Sequence, residues 1–176
     1  MKKIAAVLCA AVACAGAAEA KTLVAYYSRS GNTADVARLI GTATGADVFE
    51  ITLANPDVYP AEYRPMTEVA KSEIENGTYP EINATPDLTD YDTIFVGTPI
   101  WWGTMASPVR AFLSNRNWSG KTIVPFVTHG GGGAGTSFDD IAGLTAGATH
   151  LSGYSVYGGD ANAAAVDTWL TEIGRK

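Results

Sequence analysis

Three short stretches of this sequence carry side chains suited to holding a small anionic or flat ligand. Ser28-Arg29-Ser30-Gly31-Asn32-Thr33 offers three hydroxyls, a carboxamide and one conformationally free residue. It sits between an apolar run, TLVAYY, and a run of helical spacing, ADVARLI, so its backbone N–H groups open onto a helix N-terminus. Free N–H groups and the helix dipole there favour an anion, and neutral donors suffice to hold a phosphate. The same residue types also serve as an ordinary helix cap. Arg29 either adds charge or points outward.

The second stretch, Thr98-Pro99-Ile100-Trp101-Trp102-Gly103, puts two indoles on a loop. Exposed aromatic surface is costly, so the pair must cover something. Either both rings cap the core, or one stacks on a flat ligand. The third stretch, His129-Gly130-Gly131-Gly132-Gly133, is a backbone that can approach a ligand closely and present N–H groups to it. His129 either orients that loop or is structural. Gly130, Gly132 and Gly135 match a dinucleotide fingerprint only by spacing. They follow the fourth strand, and no acidic residue ends the next one. Gly120-Lys121-Thr122 is not a nucleoside-triphosphate loop, since Asn115 stands where glycine is needed and the triplet precedes a strand.

These stretches gain meaning from the elements between them. Strands are expected at 22–28, 47–53, 92–99, 121–129 and 149–158, from β-branched and aromatic runs bounded by turn residues. Helical spacing of apolar residues follows each one: Val36, Leu39 and Ile40; Met66, Val69 and Ala70; Val109, Phe112 and Leu113; Phe138, Ile141 and Leu144; Val166, Trp169 and Leu170. Ser107-Pro108 reads as a cap followed by a first-turn proline. Strands alternating with helices imply a parallel sheet with right-handed crossovers. The fold class expected is α/β, a three-layer doubly wound domain with five parallel strands in the order 2-1-3-4-5. In such sheets ligands bind beyond the carboxyl ends of the strands, where all three stretches converge. The segment 55–86, with its prolines, has no assigned role.

Lys2-Lys3, an apolar run to Ala18, and Ala18-Glu19-Ala20 read as an export signal cleaved after Ala20, leaving residues 21–176 as one domain. The expected location is periplasmic or extracellular, with a membrane attachment only if Cys14 is lipidated. Both cysteines, Cys9 and Cys14, lie in this segment. The remaining domain has no disulfide, thiol nucleophile or thiolate metal ligand, and no metal site is expected. The full chain carries a net charge of −6, and removing Lys2, Lys3 and Glu19 makes it −7. That acidity disfavours nucleic acid and anionic membranes as partners.

A strand, then Ser-x-Ser-Gly-Asn-Thr, then a helix resembles the phosphate loop of flavodoxins, which bind flavin mononucleotide (FMN). The resemblance extends through TPIWWGTMASPVRAFL and SGKTIVPFVTHGGGGAGTSFDDI and covers residues 21–176. It implies that Ser28, Arg29, Ser30, Gly31, Asn32 and Thr33 hold the FMN phosphate. It places Thr98, Pro99, Ile100, Trp101, Trp102 and Gly103 along one side of the flavin, and His129, Gly130, Gly131 and Gly132 along the other. It implies no side chain with a covalent catalytic role. Two departures bear on chemistry. The outer-face tyrosine common in flavodoxins after the fourth strand is replaced by glycine, and no acidic residue lies between His129 and Phe138. Glycine-loop donors in place of carboxylates favour the reduced, anionic flavin, so a less negative second reduction potential is expected. In flavodoxins a peptide beside the ring rotates on reduction, and Trp102-Gly103-Thr104 is the segment expected to do so.

The resemblance implies a monomeric electron carrier that docks to a redox partner protein or a small-molecule acceptor. A second reading is an FMN-dependent NAD(P)H/quinone-type oxidoreductase. A third is a non-catalytic module that has lost the flavin. A phosphoacceptor receiver domain, which shares this topology, needs an aspartate where Gly97 and Thr98 stand.

Overall fold

The computed structural model describes residues 21–176. The expected export signal and Cys14 lie outside the described residues. The central strands are β1 (Lys21–Tyr26), β2 (Asp47–Glu50), β3 (Tyr91–Trp101) and β5 (Thr122–His129), with β6 (Thr149–His150) and β7 (Tyr154–Tyr157) sharing the far edge. A two-residue strand, β4 (Thr104–Met105), folds back antiparallel on the end of β3. All the other pairings are parallel, in the order β2-β1-β3-β5, with β6 and then β7 beside β5. That is the expected order, with the fifth strand divided in two. The break falls at 151–153, where Gly153 passes so close under Phe138 that a Cβ would lie 2.6 Å from the ring.

Five helices flank the sheet: α1 (Asn32–Thr44), α2 (Tyr63–Asn76), α3 (Ser107–Leu113), α4 (Ser137–Leu144) and α5 (Ala163–Glu172). Strand periodicity explains the two cores. Leu23, Ala25, Ile94, Val96 and Ile123 face one side, against Met66 and Ala70 of α2, Val109, Phe112 and Leu113 of α3, and Ile141 of α4. Val24, Tyr26, Phe95, Val124 and Phe126 face the other, against Val36, Ala37 and Ile40 of α1 and Val166, Trp169 and Leu170 of α5. Strand β3 is buried on both faces from Thr93 to Thr98, which is why it reads as a continuous apolar run.

Several boundaries differ from the sequence reading: β1 ends at Tyr26 rather than 28, and β3 runs on to Trp101 rather than 99. Strand β2 stops at Glu50 rather than 53, because Leu53 turns away to bridge Ile82. The α3 cap falls on Ala106, one residue early, and Ser107 is the first helical residue, fully buried. The backbone amide of Ala106 is instead held by Thr98 Oγ1, at 2.9 Å.

Candidate functional site

The loops after β1, β3, β5 and β7 meet at one edge of the sheet around a pocket of about 610 Å³. Its floor is the turn into α1. Gly31 takes the N-cap position of α1 with φ 91°, and no side chain caps the helix. The alternative of a plain side-chain cap is therefore not realised, and the first-turn N–H groups open toward the pocket edge. Ser28 Oγ is buried and has no hydrogen-bond partner among the described residues. A buried hydroxyl without a partner is destabilising, so its retention beside an open helix N-terminus fits an anion that the loop has yet to meet.

Other members of the stretch are already engaged. The buried Thr33 hydroxyl pairs with that of Thr128 at 2.8 Å, joining the α1 start to the end of β5. Arg29 points outward and donates to the carbonyls of Pro60 (2.7 Å) and Ala61 (3.0 Å), tying the loop to the segment leading into α2. Asn32 packs against Gly158, where a Cβ would sit 2.5 Å from the carboxamide nitrogen.

The two tryptophans have opposite fates. Trp101 is nearly buried between Tyr27 and Tyr59, edge to face with both. Trp102 is 55% exposed at the pocket mouth. Trp101 pairs with Thr104 across a two-residue turn, and Trp102 and Gly103 within it have φ of 51° and 78°. Two positive φ values in a two-residue hairpin loop define a turn that favours asparagine and glycine. A tryptophan held there is strained, and such strain concentrates at ligand clamps. The ring is fixed from outside: its Nε1 donates to Thr67 O at 2.9 Å, and the Lys71 ammonium lies 5.3 Å from the ring centroid.

The hairpin is clamped to the glycine tract. Thr136 N donates to Gly103 O at 2.8 Å, and Gly135 lies against the same carbonyl. Within the Trp102-Gly103-Thr104 segment expected to rotate, turning the Gly103–Thr104 peptide has to break the Thr136 bond. Asp140 gathers the rest of the clamp. Its carboxylate accepts from Thr104 Oγ1, from Thr136 Oγ1 at 2.6 Å and from Arg110 Nη2 at 3.1 Å. Burial pushes the Asp140 carboxyl up, but the Thr104 and Thr136 hydroxyls and the Arg110 guanidinium together hold it below its ordinary value. A carboxyl depressed by folding stabilises the fold above its unfolded titration range and loses that contribution as pH falls through the folded one. The stability gap between the wild type and Asp140→Asn should thus be widest near neutral pH and close on acidification, as measured by denaturant midpoints across pH.

On the far wall, His129 Nδ1 accepts from Gly131 N at 3.1 Å, and its carbonyl accepts from Gly158 N at 2.8 Å. The ring therefore orients the start of the glycine tract, and a neutral His129 carries its proton on Nε2. Tyr157, half-exposed, stands edge to face with it at 6.1 Å.

Of the residues expected at the site, Arg29, Ser30, Asn32, Pro99, Ile100, Trp101, Trp102, His129 and Gly130 line the pocket. Ser28, Gly31, Thr33, Thr98, Gly103, Gly131 and Gly132 are not among the residues that line it. Thr98, for example, is fully buried and pins the hairpin through Ala106 N. The sequence reading missed the wall made by Tyr63, Met66, Thr67 and Ala70 of α2, together with Thr128, Tyr157 and Gly158. The apolar spacing of Met66 and Ala70 marked a helix but not which strand end it would cover. Among the described residues, no Asp or Glu lines the pocket.

The family model described as flavodoxin matches residues 21–173. This chain belongs to the flavodoxin family. A solved structure from Bacteroides eggerthii DSM 20697, named a flavoprotein, is 30% identical, with a TM-score of 0.75 over 89% of this chain and 99% of that one. A flavoprotein in complex with FMN from Lactobacillus acidophilus NCFM is 23% identical, with a TM-score of 0.68 over 85% of this chain and 98% of that one, a likeness of fold. Among curated relatives, NAD(P)H dehydrogenase (quinone) 3 of Rhizobium meliloti is 33% identical over 106 residues, 59% of this chain. That match spans about half of the relative, 48% of its length. The pocket of this flavodoxin-family chain fits a phosphate at the α1 N-terminus and a flat ring between the hairpin and the β5 and β7 ends.

Proposed function

We propose that this protein is an FMN-dependent electron carrier, with its cofactor held at the carboxyl edge of the sheet. FMN is the cofactor of the family, and when bound it supplies one- and two-electron transfer. The observation that carries the reading is the phosphate cradle without its phosphate's partners satisfied: an uncapped α1 N-terminus beside the unpartnered Ser28 hydroxyl. Ser28, Ser30, Asn32 and the first N–H groups of α1 would hold the phosphate. Trp102 and Tyr157 offer aromatic faces for the ring, and the latter takes the place left by the glycine tract. Thr136 and Asp140 keep the hairpin in position, and the α2 wall excludes water from the inner side. The absence of carboxylates from the lining supports a less negative second potential than an acidic loop would impose.

The purified protein, incubated with FMN and desalted, should retain perturbed visible flavin bands. A colourless product that leaves FMN fluorescence unquenched would end this reading and leave the third, a module without flavin. Steady turnover with a nicotinamide donor and a quinone would favour the reductase reading, which the Rhizobium meliloti relative's name suggests. Export to the periplasm or beyond, after removal of residues 1–20, completes the proposal.

A further inference from the structure

We propose that Trp101, Tyr59 and Glu73 form a proton-coupled relay that carries an oxidising equivalent from the pocket wall to a buried tyrosine. Trp101 lines the pocket, and its ring centroid lies 4.9 Å from that of Tyr59, at 78°. Aromatic rings in van der Waals contact exchange electrons readily. The Tyr59 hydroxyl donates to Glu73 Oε2 at 2.6 Å, within the range in which a base takes up a proton directly. Glu73 lies on α2, half-buried, one turn beyond the pocket-lining Ala70. Burial first, then the hydrogen bond and charge of Glu73, raise the Tyr59 phenol above its ordinary range. The Tyr59 hydroxyl is therefore held as the donor of the bond to Glu73 Oε2.

The structure supplies its own comparison. Tyr27 flanks the other side of Trp101 at 5.7 Å and 86° and is as deeply buried as Tyr59. Its hydroxyl has no carboxylate hydrogen-bonded to it among the described residues, and Arg29 is the strongest charge acting on it. A neighbouring cation opposes the positive charge that an oxidised tyrosine carries until its proton leaves. Contact with Trp101 is thus common to both tyrosines, and among the described residues a hydrogen-bonded carboxylate belongs to Tyr59 alone.

A one-electron oxidant at the pocket takes an electron from the Trp101 indole. Tyr59 returns an electron to the indole, and its phenolic proton passes along the hydrogen bond to Glu73. The Tyr59 O–H bond breaks and an O–H bond on Glu73 Oε2 forms. Trp101 regains its neutral reduced state, leaving a neutral tyrosyl radical and a neutral carboxylic acid. The oxidant gains the one electron removed. The relay rests on the flavin reading only for the natural oxidant, photoexcited oxidised flavin. Its function would be to move oxidising equivalents away from the ligand.

The test uses the full protein with two oxidants. One is bound FMN under a laser pulse. The other is a photo-oxidised ruthenium polypyridyl complex added to flavin-free protein, so that failure to bind FMN does not decide the result. Tyrosyl radical is read by transient absorption and electron paramagnetic resonance. Wild type should form it, and Tyr59→Phe should abolish it. Glu73→Gln should slow its formation by about a hundredfold, the lower end of what a positioned base contributes. Tyr27→Phe should leave it unchanged. If Glu73→Gln matches wild type, or Tyr27→Phe loses the signal as fully as Tyr59→Phe, the relay is overturned. Should Tyr59→Phe fold poorly, the half-exposed Glu73→Gln still decides.

Discussion

Gly135→Ala should destabilise the protein by about 3 kcal/mol and weaken FMN binding at least about tenfold. A Cβ at this position would lie 1.9 Å from Gly103 O, 2.6 Å from its carbonyl carbon and 3.0 Å from its α-carbon. All three are backbone atoms, so no flexible side chain can yield. Gly135 also has φ +54°, a left-handed conformation that disfavours any Cβ by about 1 kcal/mol. Relief requires the hairpin to move off the glycine tract, which breaks the bond from Thr136 N to Gly103 O and displaces Trp102. Gly133→Ala is the matched control. It has φ +70° and open space around its would-be Cβ, so it should lose only the conformational part, about 1 kcal/mol. Denaturant unfolding and FMN titration of the two variants separate contact from conformation. Equal losses in both would show that the Gly103 contact has no energetic weight.

The layout of this clamp explains why the sequence conveyed some of the site and concealed the rest. Elements declared themselves because their apolar spacing depends on burial alone: β3 is apolar throughout because both its faces are covered. Gly31 and its neighbours were readable because a strand–turn–helix junction is contiguous in sequence. The walls of the pocket were not. Met66 and Ala70 show helical spacing, yet their position over the β3 end follows from the crossover path and from Arg29 capturing the carbonyls of Pro60 and Ala61, a contact spanning 31 residues. The loop after the fourth strand has glycine where many flavodoxins have a tyrosine, and Tyr157 lines the pocket from β7. That aromatic ring comes from a different strand, which no reading of one loop can reveal. The exposed Tyr157 before two glycines was the signal available.

The Trp101-Trp102 pair makes the same point at one peptide's distance. As a sequence it offers two equivalent indoles. The left-handed backbone at Trp102 sends successive side chains in unrelated directions, one into the Tyr27–Tyr59 cluster and one to the pocket mouth. A composition argument can say that one ring is buried. Only the turn geometry says which.

Ser28→Ala should move stability and ligand affinity in opposite directions. In the flavin-free protein Ser28 Oγ is buried without a partner, so its removal relieves an unsatisfied group and should leave stability unchanged or raise it by up to about 1 kcal/mol. In the proposed FMN complex the same hydroxyl would meet a charged phosphate, and a hydrogen bond to a charged group contributes about 1.5–3 kcal/mol. Its loss should weaken FMN about ten- to a hundredfold. Thr33→Val behaves differently, because the Thr33 hydroxyl already pairs with Thr128 at 2.8 Å. That substitution strands a buried partner, so stability falls with or without ligand. Thermal unfolding with and without FMN, alongside fluorescence titration, distinguishes the two. If Ser28→Ala binds FMN as tightly as wild type, the buried hydroxyl is not aimed at the phosphate, and the anion must rest on Ser30, Asn32 and the α1 amides alone. If its flavin-free form is instead destabilised, the hydroxyl has a partner in solution, and the cradle is preorganised by more than the loop itself.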